Sequence, residues 1–416
     1  MNKPVSSNLV GIDGALGGIG QHIILPDPEG QEFVLNIGPS HPATHGTIRI
    51  IVKLEGEVVK EAEVEVGYLH RGFEKMCETV TYNQCMPYTD RLNYVSPLIN
   101  NFGFCEAVEK LCGIDVPERC KFIRVLMAEL SRVTDHLTCL GASAMELNAF
   151  SVMLYYMQAR EIVYKLIEKV TGARLTISYG RVGGLAWDLP EDFTNEVLQA
   201  IPKIEELVKL GDDLLTGNRI FQLRMCGIAK VSSEQAKSFG FTGPLARASG
   251  VDIDIRRDFP YSGYENFEFK VPLGTQGDNF DRFQVRLEEV FESIKIIKQA
   301  CRNMPDGEIN ASESKYLLPP KSETYSSIEG MIKHFELIMF GIKPPVGEIY
   351  HAVEGGNGEV GFYIVSDGSG KPYRCHCRSP SFVHMGAFKH MILGANLADV
   401  IPTFGMMNMI GGECDR

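Results

Sequence analysis

From Ile48 to Leu54 apolar residues occupy alternate positions (Ile48, Ile50, Val52, Leu54), and the alternation returns at Ala62, Val64 and Val66 beyond Gly56. A period of two buries one face, so this stretch predicts a β-hairpin. After Gly72 the period lengthens to that of a helix. Pro117 suits a helix start, and Ile123, Leu126, Met127, Leu130, Val133, Leu137 and Leu140 follow at helical spacing, ended by Gly141. A second helix is predicted from about Phe150 to Val170, stopped at Thr171-Gly172. A third, interrupted by Pro202, is predicted from about Pro190 to Leu215. A fourth starts at Asp278 as N-cap and carries Phe283, Leu287, Val290, Phe291, Ile294 and Ile297 on one face. The tail from about Ile328 is mixed. It predicts a helix from Met331 to Phe340, strands around Glu359 to Val365 and Tyr373 to Arg378, and a last helix near Ser381.

Long helices with broad apolar faces indicate a helical bundle. The expected class is α+β, with an extended arm over 1–30, a β-rich N-terminal domain over 31–75, a helical bundle over 76–310 and a mixed α/β C-terminal domain over 311–416. A chain of 416 residues can hold two or three cores. No internal repeat or low-complexity linker divides it. No apolar run approaches the roughly 18 residues that cross a bilayer, and the Gly-rich start does not read as a signal peptide. The expected location is therefore cytosolic unless a partner holds the chain at a membrane. The net charge of −12 argues against a nucleic-acid groove or adhesion to anionic lipid. The eleven cysteines are scattered and odd in number, which reads as reduced, mostly buried thiols.

Chemistry concentrates between Asn36 and Tyr94. The stretch contains Gly38-Pro39-Ser40-His41-Pro42-Ala43-Thr44-His45-Gly46, then Gly67-Tyr68-Leu69-His70-Arg71-Gly72-Phe73-Glu74-Lys75, then Thr81-Tyr82-Asn83-Gln84-Cys85-Met86-Pro87-Tyr88-Thr89-Asp90-Arg91. Gly and Pro define a turn for His41 and His45. Histidine and tyrosine together can hold an oxygen-bearing ring and supply it with protons. Spacing alone leaves open whether these histidines are structural, bonded to backbone at the turn. A metal is not indicated, because no cysteine pair follows at a usual zinc spacing.

These segments closely resemble the D-subunit family of proton-pumping NADH–quinone oxidoreductase (respiratory complex I), itself related to the large subunit of nickel–iron hydrogenases. The resemblance runs from about Phe33 to Arg416. It implies a hydrogenase-large-subunit-like fold and a quinone headgroup bound at its two carbonyls by His45 and Tyr88, with His41 beside them. It implies no redox cofactor in this chain, quinone as substrate, and a [4Fe-4S] cluster in a neighbouring iron–sulfur subunit. Other peripheral-arm subunits and proton-pumping membrane-arm subunits are implied as partners, with no nucleic acid. The implied location is the cytoplasmic side of the cell inner membrane, with the protein peripheral to it. Quinone reduction yields a basic dianion that must gain two protons, which a tyrosine hydroxyl and a protonated histidine can deliver.

His70 and Arg71 match a segment along the quinone tunnel, where positive charge favours reduced quinone. The competing reading is an Arg71 salt bridge to Glu74 or Glu78 on a solvated helix. Asp90 and Glu146 are further supporting residues. Relatives carry an aspartate at Glu146 that pairs with the site histidine, and one extra methylene changes its reach. Arg71, Thr176 and Arg181 are expected near the partner's cluster. Many relatives carry a histidine at Thr176, whose protonation is coupled to cluster reduction. Threonine cannot titrate, so a cluster potential that varies little with pH is expected.

A hydrogenase centre needs four thiolates from two Cys-x-x-Cys pairs. Here Tyr88 follows Cys85 at one thiolate position, and Ile410 and Glu413 replace both C-terminal ones, so that reading fails. In Cys375-His376-Cys377 a strand would point the two thiols one way and the imidazole the other, which predicts packed thiols. Two alternatives to the quinone-site reading remain: a non-catalytic scaffold of such a complex, and the large subunit of a membrane-bound hydrogenase-like complex with another electron donor.

Overall fold

Strands β1 (Glu32–Ile37), β2 (Arg49–Glu55) and β3 (Val58–Glu65) form an antiparallel sheet in that order. The computed structural model describes residues 32–44, 46–311 and 315–416, so the arm expected over 1–30 lies outside the described residues. The alternation holds in β2, where Ile50, Val52 and Leu54 are buried. In β3 it does not run through. Leu54 pairs with Val59 but Lys53 with Glu61, leaving Lys60 as an extra residue. Such a bulge moves the inward face by one position. Val59 is therefore buried, Ala62 and Val64 are half-buried, and Val66, expected to face inward, is exposed past the strand's end.

The sheet's apolar face rests on two C-terminal helices, Pro380–Ile392 and Leu397–Met407. Met385, Phe388, Val400 and Phe404 share one core with Ile50, Val52 and Leu54. The edge of β3 is closed by the same region: Val59 N donates to Ala395 O (3.0 Å), and Leu397 N donates to Glu57 O (2.8 Å). An edge so covered cannot pair with another chain.

The second, larger core belongs to the helices. After short helices α1 (Phe73–Cys77) and α2 (Tyr82–Thr89) come α3 (Pro97–Cys112), α4 (Glu118–Glu146), α5 (Phe150–Thr171) and α6 (Phe193–Leu215). Helix α4 packs on α5 and on the helix Asn279–Arg302, and α5 packs on α6. The predicted punctuation holds. Pro117 precedes α4, Gly172 ends α5 in the left-handed conformation, and the Asp278 carboxylate accepts from Asp281 N (2.9 Å). Pro202 does not interrupt α6, which is continuous across it. A mid-helix proline costs about 3 kcal/mol. Burial of Val197, Ile201, Ile204, Leu207 and Val208 on the bundle, at about 1.5–3 kcal/mol each, outweighs that.

Helix α3 is wedged between α4 and a C-terminal antiparallel sheet of strands Gly347–Glu354, Glu359–Ser366 and Arg374–Arg378. The first of these strands and the helix Leu397–Met407 were not foreseen. In the last strand Cys375 and Cys377 face the core, while His376 faces out and meets Glu74 (2.7 Å). The helix Ile328–Phe340 behaves unlike every other long helix. Ile328, Met331, Ile332, Phe335, Ile338 and Met339 all stand at least half exposed, and only Gly330 is buried. Among the described residues no helix is long and apolar enough to cross a membrane.

Candidate functional site

A cavity of about 450 Å³ opens where the α1 entry, the end of α2, the loop after α5 and the C-terminus meet. Leu69, Phe73, Met76, Pro87 and Leu92 give it apolar walls, and Arg71, Tyr88, Asp90, Thr176, Asp415 and Arg416 supply polar groups. Helix α2 is set at its start by Gln84, whose Oε1 accepts from Thr81 N (3.0 Å). Its other end delivers Tyr88, half-buried, and Asp90, almost wholly buried.

Arg71 does not form the salt bridge weighed against the functional reading. Its Nη2 donates to Arg91 O (2.8 Å), while Glu74 and Glu78 pair with Arg374 (3.0 and 2.9 Å). Gly412 makes that arrangement possible. A Cβ there would lie 2.1 Å from Arg91 O and 3.0 Å from Arg71 Nη2. The C-terminus is stapled in place by Asp415, whose carboxylate accepts from Gly67 N (2.9 Å) and Leu69 N (2.8 Å). Its carbonyl meets His70 Nδ1 (2.8 Å), so His70 holds the C-terminus and does not line the cavity.

The facing wall is the loop carrying Thr176 and Ser178, both in the left-handed region (φ 55° and 44°). A β-branched residue held there costs on the order of 1–3 kcal/mol and needs support from its surroundings. Arg181 provides some, donating to the Ser178 and Gly180 carbonyls (both 2.7 Å) instead of lining the cavity. Asn101 adds more: its Oδ1 accepts from Gly180 N (2.6 Å), and its Nδ2 donates to Asp90 Oδ1 (3.2 Å). Burial pushes the Asp90 carboxyl up to about 7, against the opposing pull of a Ser178 backbone hydrogen bond and the Arg91 and Arg181 charges.

Of the other predicted residues, His41 and Glu146 do not line this cavity. His45 lies outside the described residues. His41 is exposed, and its Nδ1 accepts from Ala43 N (3.1 Å). The short helix Pro42–Thr44 packs on the helix Leu397–Met407, and Glu146 touches that same helix at Gly405. A Cβ at Gly405 would fall 2.0 Å from Glu146 Oε2, so only glycine admits the carboxyl. Burial raises Glu146 to about 8, and its Oε2 has no hydrogen-bond partner among the described residues.

Asp415, Arg416 and Glu413 escaped the sequence reading as site residues. Glu413 was noted only as a lost thiolate position. It is buried behind Gly412, with Oε1 accepting from Ser381 Oγ and Asn357 Nδ2 and with Oε2 unpartnered among the described residues. Burial raises its carboxyl to about 7. The one available signal was the run of small and acidic residues at the C-terminus, whose contact with Gly67–His70 spans some 345 residues of sequence.

Residues 146–416 match the protein family described as respiratory-chain NADH dehydrogenase, 49 Kd subunit. The chain is 52% identical over 391 residues to the D 1 subunit of NADH-quinone oxidoreductase from Sorangium cellulosum, covering 94% of this chain and 97% of the relative. It is 51% identical over 386 residues to the D subunit of the same enzyme from Myxococcus xanthus, covering 93% of each. The C/D subunit from Bdellovibrio bacteriovorus is 47% identical over 382 residues, covering 92% of this chain and 68% of that protein.

Proposed function

The chain belongs to the family of the respiratory-chain NADH dehydrogenase 49 kDa subunit, a component of a multi-subunit oxidoreductase, and we propose that it builds that complex's quinone pocket together with an iron–sulfur partner subunit. The observation that carries this reading is the convergence of Arg71, Tyr88, Asp90 and Thr176, drawn from three separate motifs, on one cavity of about 450 Å³. The apolar walls suit a ring and its tail, and a few polar groups suit its carbonyl oxygens. The cavity's volume is in the range of small-molecule sites.

In this reading the partner's [4Fe-4S] cluster supplies electrons to quinone as substrate. The Tyr88 hydroxyl donates a hydrogen bond to one carbonyl oxygen and gives up its proton as charge develops there, with His45 serving the other. Arg71, fixed through Arg91 O, adds positive charge that favours the reduced ring. The complex would lie on the cytoplasmic face of the inner membrane. This chain would be peripheral there, docked to membrane-arm subunits in which the free energy of quinone reduction drives proton translocation.

The test is donor-to-quinone electron transfer in the purified complex with Tyr88→Phe, with assembly and cluster reduction checked in parallel. Loss of at least tenfold in kcat with assembly intact is expected. An unchanged rate would remove Tyr88 from the site and leave the scaffold reading.

A further inference from the structure

The cavity holds two carboxylates whose situations differ. Asp415 accepts two backbone N–H groups at 2.8–2.9 Å, so its charge is engaged in holding the C-terminus. Asp90 is only 2% exposed, and among the described residues the one side chain bonded to it is the neutral amide of Asn101, at 3.2 Å. Asn101 is itself fixed by Gly180 N and reaches Thr89 Oγ1 (3.3 Å), which holds this neutral partner in place. Its carboxyl lines the same cavity as Tyr88 and the Thr176–Ser178 wall.

The charged groups around it do not neutralise it by contact. Arg181 directs its donors to the Ser178 and Gly180 carbonyls, and Arg71 to Arg91 O. Arg91 acts on Asp90 only at a distance. Arg416 lies over the Phe382 ring and 3.6 Å from Glu74. A buried carboxyl with a neutral partner and no contacting cation keeps its proton near neutral pH, and burial indeed places this one at about 7. Such a group in a cleft can give a proton to a bound molecule and recover it.

We propose that Asp90 is a proton-donating residue of the cavity, passing its carboxyl proton to an oxygen of the bound quinone as that oxygen gains negative charge. The inference rests on the quinone-pocket reading above. The step balances. Two electrons passed one after the other through the partner's iron–sulfur cluster would reduce the ring, the Asp90 O–H bond breaks, a ring O–H bond forms, and Asp90 is left as carboxylate. The second proton comes from Tyr88 or its neighbours, and solvent reaching the open cavity reprotonates Asp90. The Arg71, Arg91 and Arg181 charges stabilise the carboxylate in the interval.

The experiment compares Asp90→Asn, Asp90→Glu and Tyr88→Phe in the purified complex, measuring kcat and KM for quinone across the acid-to-alkaline range either side of neutral pH. Asparagine keeps the shape and the acceptor for Asn101, so assembly should persist. The native kcat is expected to fall as pH rises through about 7. Asp90→Asn should lower kcat at least tenfold in mild acid, flatten that profile and leave KM within about twofold, and Asp90→Glu should restore part of the rate and the pH dependence. If Tyr88→Phe slows the reaction but Asp90→Asn keeps the native rate and profile, the Asp90 inference falls and the pocket reading stands. If neither variant changes the rate, both fall. If Asp90→Asn raises KM alone, Asp90 is a binding contact and donates no proton.

Discussion

Two regions of this protein bury carboxylates and treat them in opposite ways. Within the bundle, Glu129 accepts from Arg132 Nε (3.1 Å), from Arg256 Nη1 (3.2 Å) and from the Tyr264 hydroxyl (2.7 Å). Arg247 bridges Glu289 and Glu354, both at 2.8 Å. Asp254 pairs with Arg256 (2.7 Å). Burial alone would raise all four acids, but the guanidinium groups outweigh it at Glu129 and Asp254, lowered to about 2, and at Glu289, lowered further, while Glu354 stays raised. Around the cavity and the C-terminal helices, burial meets no guanidinium in contact among the described residues, and Asp90, Glu413 and Glu146 rise to about 7, 7 and 8. Depth does not decide ionisation at these six positions. Contact with arginine accounts for them, but Glu354, 2.8 Å from Arg247 and still raised, shows that burial helped by the Asp254 charge can outweigh it.

The comparison breaks most readily at Arg247. Arg247→Met strips the shared cation from Glu289 and Glu354 and should cost about 3–5 kcal/mol in urea denaturation, the expected loss for an uncompensated buried charge. Glu129→Gln, which keeps the shape, should cost about 2–3 kcal/mol at neutral pH. Because the folded Glu129 carboxyl is held near 2, below its ordinary 4.5, its contribution is present above pH 4.5 and is lost as pH falls towards 2. The variant should therefore converge with the native protein in acid.

Where no arginine is in contact, the sign reverses. Glu146 sits near 8 when folded and 4.5 when unfolded, so its neutral form favours the fold. That advantage is complete below 4.5 and is lost as pH rises to 8. Glu146→Gln should be nearly neutral in acid and stabilising in alkali, checked by thermal unfolding across pH. The smallest effect belongs to the surface. Arg374→Ala removes exposed pairs with Glu74 and Glu78 and should change stability by less than about 1 kcal/mol.

Much of this was legible in the sequence, and the rest was not for definite reasons. Periodicity located the hairpin, α4, α5 and the helix Asn279–Arg302, because in each a single buried face repeats over many residues. It failed at β3, where the extra residue Lys60 shifts the inward face, and at α6, where tertiary burial overrides Pro202. Motif reading picked out Arg71, Tyr88, Asp90 and Thr176, which the fold brings to one cavity. It missed the role of Asp415 as a staple for Gly67 and Leu69, because nothing local announces a contact between such distant parts of a chain. The two carboxylate regimes were equally hidden, since Glu129 and Glu413 differ only in which arginines the fold brings to them.

The bare apolar stripe on the helix Ile328–Phe340 has a consequence for how the protein must be made. Six large side chains in water forgo roughly 1.5–3 kcal/mol each relative to burial, so a copy released on its own presents the kind of surface that chaperones hold and proteases find. The 13 residues of that helix therefore make the isolated chain prone to associate, whatever the rest of its surface does.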